Sequence, residues 1–318
     1  MANKRLLVLL PLLILCLAFL VFGRPVKAAG SSPPQGITIS PAFQQISIDS
    51  SQASKPISFT ITNNKPTPQT ITFSSADFNT LSETGGLVFV GSNPTEIQQK
   101  YGLAQWFELP RKSLTIQPKQ SVKLSADILN LASMPAGGHY GALLVSLGSG
   151  DQSDKNGNVS IHPIASSLMF VTKLGGDTHK LSLTNVYVKH SLLRLPGSVT
   201  LRFHNDGNTH LTPRGAVTVY DSGHRLISKG IINENSGILL PASFRQYSVQ
   251  LQRVNMPRLP GKYILNVDYR FDGISQYRRY STSFFSMPRL ATAIEIIAGA
   301  AIAVGLGTIG YRNLRSYK

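Results

Sequence analysis

Residues 263–271 read Tyr263-Ile264-Leu265-Asn266-Val267-Asp268-Tyr269-Arg270-Phe271. Tyr263, Leu265, Val267, Tyr269 and Phe271 fall on one side of an extended chain, because successive side chains of a strand point to opposite faces. One face is thus apolar and the other polar, the pattern of an antiparallel sheet with one buried side. Moving outward, Val199-Thr200-Leu201-Arg202-Phe203 alternates in the same way, as do Ile57-Ser58-Phe59-Thr60-Ile61-Thr62, Thr70-Ile71-Thr72-Phe73 and Val122-Lys123-Leu124-Ser125-Ala126. Short alternating runs bounded by Gly, Pro and Asn across more than 200 residues predict an all-β chain built of sandwiches.

An internal repeat divides the strands into two sets. Pro118 precedes a strand, Met134-Pro135 and Gly138-His139-Tyr140, whereas Pro241 precedes a strand, Met256-Pro257 and Gly261-Lys262-Tyr263; both intervals, Pro118 to Tyr140 and Pro241 to Tyr263, are 22 residues. A Gly-x-Tyr entering an apolar strand suits the tyrosine corner of immunoglobulin-like sandwiches, so Tyr140 and Tyr263 are expected as equivalent structural corners. Asn63-Asn64 and Asn205-Asp206-Gly207 close equivalent upstream strands, as residues that tolerate positive φ. The expectation is two tandem immunoglobulin-like β-sandwiches, 36–175 and 176–288, joined near Gly175-Gly176. The first carries an inserted loop at 76–103.

Asn93-Pro94-Thr95-Glu96 in that loop is a helix-start signature, and a short helix to about Tyr101 is predicted. Loops on a rigid scaffold carry binding, so Asn93, Glu96, Gln99, Tyr101 and Trp106 are the candidate ligand-binding residues. The competing reading places Trp106 in the core, on the strand Trp106-Phe107-Glu108-Leu109.

Both ends of the chain carry membrane signals. Lys4 and Arg5, an apolar run from Leu6 to Phe22 and small residues at Ala28 and Ala29 form a signal peptide over 1–28. Residues 291–311 (ATAIEIIAGAAIAVGLGTIGY, with Glu295 the one charged residue) would make a helix of roughly 31 Å, the thickness of a bilayer core. Arg312, Arg315 and Lys318 in the tail, 312–318, supply a cytoplasmic positive flank. The expectation is a single-pass cell-membrane protein with its N-terminal portion outside. Gly299, Ala303 and Gly307 recur every four residues, a stripe that suits homodimer packing of transmembrane helices.

The chain has one cysteine, Cys16 in the signal, so the exported part has no thiol chemistry and no disulfide. Residues 29–175 carry nine Lys and Arg against eight Asp and Glu, whereas 176–290 carry fifteen against six, which places the basicity of a chain of net charge +16 in its second half. The histidines show no metal-ligand spacing, no nucleophile elbow or phosphate-cradling loop occurs, and the export signals exclude nucleic acid. Asp151, Asp154, Asn156 and Asn158 approach a calcium loop but lack its distal carboxylate. No catalytic residue, metal or cofactor is expected.

The chain resembles the WxL-interacting proteins of Gram-positive surfaces. The residues that carry the resemblance are ISFTITNNKPTPQTITF (57–73), SLTIQPKQSVKLSADI (113–128) and MPAGGHYGALLVSL (134–147) in the first half, with FHNDGNTHLTPRGAVTVYD (203–221), ILLPASFRQYSVQL (238–251) and LPGKYILNVDYRF (259–271) in the second. Pro118-Lys119-Gln120 stands where that family has a Pro-Gly-Glu turn. The resemblance implies a peptidoglycan-binding first sandwich and a host-binding second one, and the expectation is a membrane-anchored, non-enzymatic adhesion protein whose first sandwich binds cell-wall peptidoglycan or a partner surface protein and whose basic second sandwich stands next to the bilayer. The alternative is a chaperone-like surface assembly factor that works by β-strand addition.

Overall fold

The computed structural model describes residues 36–90, 96, 100–109, 111–147, 164–257, 260–288 and, within 293–308, residues 293, 294, 296–302, 304, 305 and 308. The chain is all-β and folds into immunoglobulin-like sandwiches. In the first, β1 (Ile37–Ser40), β3 (Ser54–Asn63), β8 (Ser121–Leu129) and β6 (Phe107–Glu108) form one sheet in that order. The facing sheet runs β2 (Phe43–Ile48), β10 (Ile164–Lys173), β9 (Gly137–Leu147), β4 (Gln69–Thr80) and β5 (Leu87–Phe89), with β7 (Ser113–Ile116) also paired to β4. The chain changes sheets between β1 and β2 through Ser40-Pro41, so β1 pairs with β3 while β2 lies parallel to β10. Phe59, Ile61, Ile71, Val145, Met169 and Val171 meet between these sheets. Each such side chain contributes about 1.5–3 kcal/mol by burial.

In the second sandwich, β11 (Leu181–Val188), β12 (Ser198–Asn205) and β15 (Phe244–Gln250) face β16 (Gln252–Arg253), β14 (Leu226–Ile232), β13 (Arg214–Tyr220), β17 (Gly261–Arg270) and β18 (Arg278–Ser286). Val199, Leu201, Phe203, Leu265 and Val267 are all at most 1 % exposed and form its core with Tyr263. The alternation of 263–271 thus points its apolar side inward.

The repeat is built into matching contacts. Asn63 and Asn205 end β3 and β12 and are both 0 % exposed. Neither has positive φ; each instead uses its buried amide as a tie. Asn63 Nδ2 donates to Thr67 O and Ile116 O at 2.9 and 3.1 Å, and Asn205 Nδ2 to Thr209 O and Leu239 O at 2.8 and 3.0 Å. Positive φ falls at Lys119 (59°) and Ala242 (52°), the residues after Pro118 and Pro241. Both residues thus hold, directly after a proline, the left-handed conformation that glycine adopts most readily.

The tyrosines do not match. Tyr263 lies in the inner core and stacks on Phe284 at 5.8 Å, whereas Tyr140 faces out of its sandwich and packs with Phe78, Phe170 and Leu240. β9 and β17 begin at Gly137 and Gly261, so the residue equivalent to Tyr263 is His139, not Tyr140. His139 is 1 % exposed, and its ring nitrogens meet Pro135 O at 2.9 Å and Gly102 O at 3.1 Å. The imidazole therefore makes the corner tie to the preceding loop, and the expected equivalence of Tyr140 and Tyr263 is corrected by one residue. Burial holds the His139 ring below the usual imidazole range.

Among the described residues no helix is long and apolar enough to cross a membrane. Of the span 291–311, the described positions are helical and Ile294, Ile296, Ile297, Ile302 and Val304 are 51–68 % exposed; the other positions, Ala303 and Gly307 included, lie outside the described residues. So do the signal peptide, the tail and the calcium-like loop 151–158.

Candidate functional site

Strand polarity dictates which end of each sandwich meets the other. β12 ends at Asn205 and β13 begins at Arg214, while β14 ends at Ile232 and β15 begins at Phe244, so loops 206–213 and 233–243 leave the same pole of the second sandwich. That pole covers the outward face of the first sandwich's β2-β10-β9-β4 sheet. Phe78, Tyr140 and Phe170 of the first and Leu240 of the second are each at most 4 % exposed and form one core across the junction. The His210 ring lies edge-on to Tyr140 and Phe170 at 5.7 and 5.5 Å. The Tyr140 hydroxyl is 3.4 Å from His210 Nδ1 and the Gln45 amide 3.3 Å from Nε2. Burial drives His210 down to about 4, since charging a ring walled by aromatics forfeits hydration. Burial likewise pushes the Tyr140 hydroxyl up.

Two polar clamps flank this core. Asn208 accepts from Gly138 N at its backbone oxygen (2.7 Å) and donates through Nδ2 to Ala136 O (3.2 Å) and Gly176 O (2.9 Å). Gly137, with φ of 116°, is required here, because a Cβ would stand 2.7 Å from Asn208 O. The second clamp comes from the inserted loop. β4 and β5 form a hairpin whose tip presents Glu83 to the second sandwich, where Arg202 donates to both carboxylate oxygens (2.6 and 2.8 Å). Gln246 adds a side-chain bond at 2.8 Å and donates its backbone N–H to Glu83 O at 2.7 Å. The Arg202 guanidinium holds the Glu83 carboxyl down to about 2.

The β4-β5 hairpin of the insertion thus serves the junction, and of the residues named as ligand-binding only Glu96, Tyr101 and Trp106 are among the described residues. Trp106 is 5 % exposed and lies edge-on to His139 at 4.9 Å, in the core; its place in a ligand site is corrected accordingly. Tyr101 is half-buried against the junction core and accepts from Tyr140 N at 2.8 Å. Glu96 is helical and exposed, and Asn93 and Gln99 lie outside the described residues. Asp77, which had drawn no attention, accepts from Leu103 N and Ala104 N at 2.6 Å each and so fixes the chain on its way into Trp106. Glu83, Asn208 and His210 were also missed; the sole signal for the last two was the turn-rich run Asn205-Asp206-Gly207-Asn208-Thr209-His210.

Beside the junction core opens a cleft of about 230 Å³, lined by Phe43, Leu87, Phe170, Ile238 and Leu240, with Arg245 at its side. Arg245 bonds Ile238 O, lies 5.3 Å from the Tyr247 ring and keeps a buried Nε without a partner. Next to Phe43 the edge of β10 is half open. β2 pairs with Leu168 to Lys173, and among the described residues no strand pairs with 164–167 on that side, the other side being held by β9. Leu168 N donates to Ala42 O, so by the two-residue alternation of the ladder Ser166 turns its N–H and C=O to the same, open side. Ser167, which faces β9, is held by its hydroxyl to Pro41 O at 2.7 Å. Among the described residues no group of three His, Cys, Asp or Glu could hold a metal ion.

No family model matches the chain, and no curated protein does. Among solved structures, it is similar to a chain of the chaperone-tip adhesin complex of CFA/I fimbriae (TM-score 0.40, 9 % identity, 78 % of this chain and 98 % of that one). It is also similar to the class 5 fimbriae chaperone CfaA (0.37, 9 %, 80 % and 100 %) and the E. coli chaperone DraB (0.35, 11 %, 78 % and 96 %).

Proposed function

We propose that this chain is a non-enzymatic, membrane-tethered surface protein that holds an extended segment of another surface protein by β-strand addition. The observation that carries the reading is the half-open edge of β10. Its unpaired backbone groups at Ser166 continue the line of β2 and lie next to the apolar cleft at Phe43. Main-chain bonds to such an edge supply affinity, and pockets for alternate side chains supply selectivity. An apolar side chain of the segment fits the cleft; a carboxylate fits Arg245. The clamped junction keeps edge and cleft in register. Tethering draws support from Ile294, Ile296, Ile297, Ile302 and Val304, apolar residues that stand 51–68 % exposed on a helix.

The test is photo-cross-linking in the cell. A benzophenone amino acid at position 43, in the cleft beside the open edge, is expected to capture a peptide of another exported protein. Ser166→Pro, which deletes only the outward N–H, should abolish the capture without unfolding the sandwich. Cross-links that are unchanged in a Ser166→Pro chain, or that join only glycan, would refute strand addition at this edge.

A further inference from the structure

The second sandwich has a pole opposite the junction, and the chain leaves through it into the apolar helix. Loops 189–197 and 221–225 and the segment 251–257, which includes the short β16, converge there, because β11, β13 and β15 end and β12, β14 and β17 begin at that end. The exit strand is tied to the first of these loops: Met287 N donates to Leu192 O at 2.5 Å, and Ser286 Oγ to the same oxygen at 3.2 Å. The segment 251–257 is tied to the start of β14 through Val254 N to Ile227 O (2.8 Å) and Asn255 Nδ2 to Leu226 O (2.9 Å). Large apolar side chains nevertheless stand outward. Leu192, Val254 and Met256 are 53 %, 52 % and 67 % exposed, and Phe285 at the end of β18 is 50 % exposed.

Cations ring these tips. Lys189, Arg194, Arg253 and Lys262 are exposed at this pole and Arg225 is half-buried. The acid of these loops, Asp221, is buried and accepts from Gly223 N and Arg225 N in its own turn at 3.1 and 2.9 Å, so it presents no carboxylate to a partner. Apolar tips within a basic ring fit one kind of surface, the headgroup layer of a bilayer with anionic lipid, where apolar side chains insert and Lys and Arg meet the lipid phosphates.

We propose that this pole seats on an anionic lipid surface, so that the second sandwich stands against the membrane and holds the first at a fixed height above it. The inference rests on the tethered reading above; continuity with the apolar helix, together with the sign of the charge, selects lipid over a protein partner.

The test uses the full chain in lipid nanodiscs, with Leu192→Cys in a Cys16→Ala background carrying an environment-sensitive fluorophore. In discs containing phosphatidylglycerol, emission should shift to the blue and iodide quenching should be lost. Both effects should be absent in pure phosphatidylcholine and reversed by high salt, which shortens the screening length. Lys189→Glu with Arg194→Glu and Lys262→Glu should abolish the shift while the chain still co-purifies with the disc. A probe that stays aqueous in every disc with the chain incorporated overturns the seating alone and returns these loops to a protein partner. An equal shift in both lipids overturns the role of charge, and failure of the chain to enter discs overturns both the seating and the tether.

Discussion

Lowering the pH from 7 to 5 should open the junction between the sandwiches through His210. The ring is buried between Tyr140 and Phe170 and titrates at about 4, against 6.5 for an exposed imidazole. A histidine with a depressed value stays neutral in the closed junction, so its contribution is complete above 6.5 and is lost as the pH falls toward 4. With those two values, closing at pH 5 is weaker by about 2 kcal/mol, and the loss approaches about 3 kcal/mol at full protonation. The amide of Gly138 reports the opening, because it donates across the junction to Asn208 O. Hydrogen exchange, corrected for the intrinsic rate, should show its protection falling about 30-fold between pH 7 and pH 5, the factor that about 2 kcal/mol represents. In His210→Gln, which stays neutral, the fall should be much smaller. Equal falls in both chains, or no change in the parent, would refute this account of the junction.

Replacing His139 with Ala removes the one hydrogen bond its neutral ring can donate, to Pro135 O or Gly102 O, together with its edge-on contact with Trp106, and should destabilise the first sandwich by about 2–3 kcal/mol, read from the denaturation midpoint of Trp106 fluorescence. Tyr140→Phe should cost under about 1 kcal/mol, since its 3.4 Å contact lies beyond ordinary hydrogen-bond length; a larger loss than that of His139→Ala would restore Tyr140 as the corner. Ala242→Gly should raise stability by about 1 kcal/mol, because φ of 52° strains any residue with a Cβ, and an unchanged melting temperature would contradict this. Glu83→Ala should free the hairpin tip and expose the Gln246 amide to exchange while both sandwich cores keep their protection.

The strands were legible because alternation is a local signal: the apolar side of 263–271 is the buried side, and the same holds at 199–203 and 57–61. The repeat was legible too, but its register was not. Gly137-Gly138-His139-Tyr140 offers two frames, and the tyrosine drew the reading away from the histidine that holds the corner. The junction left no local trace. Glu83 and Arg202 are 119 positions apart, and no periodicity in either segment signals that a hairpin of one sandwich will dock on a sheet of the other. For the same reason the insertion read as a free binding loop. The open end of the β10 edge follows from the point at which β2 begins, which pairing alone reveals.

The most direct test of strand addition is the exchange of the Ser166 amide in the full chain, alone and with the cross-linked partner segment added as a peptide. The account predicts fast exchange in the free protein, as expected of an unpaired edge, and strong protection on binding, with Ser167 protected in both states through β9. Protection confined to the inserted loop or to the second sandwich, with Ser166 still exchanging freely in the complex, would contradict it.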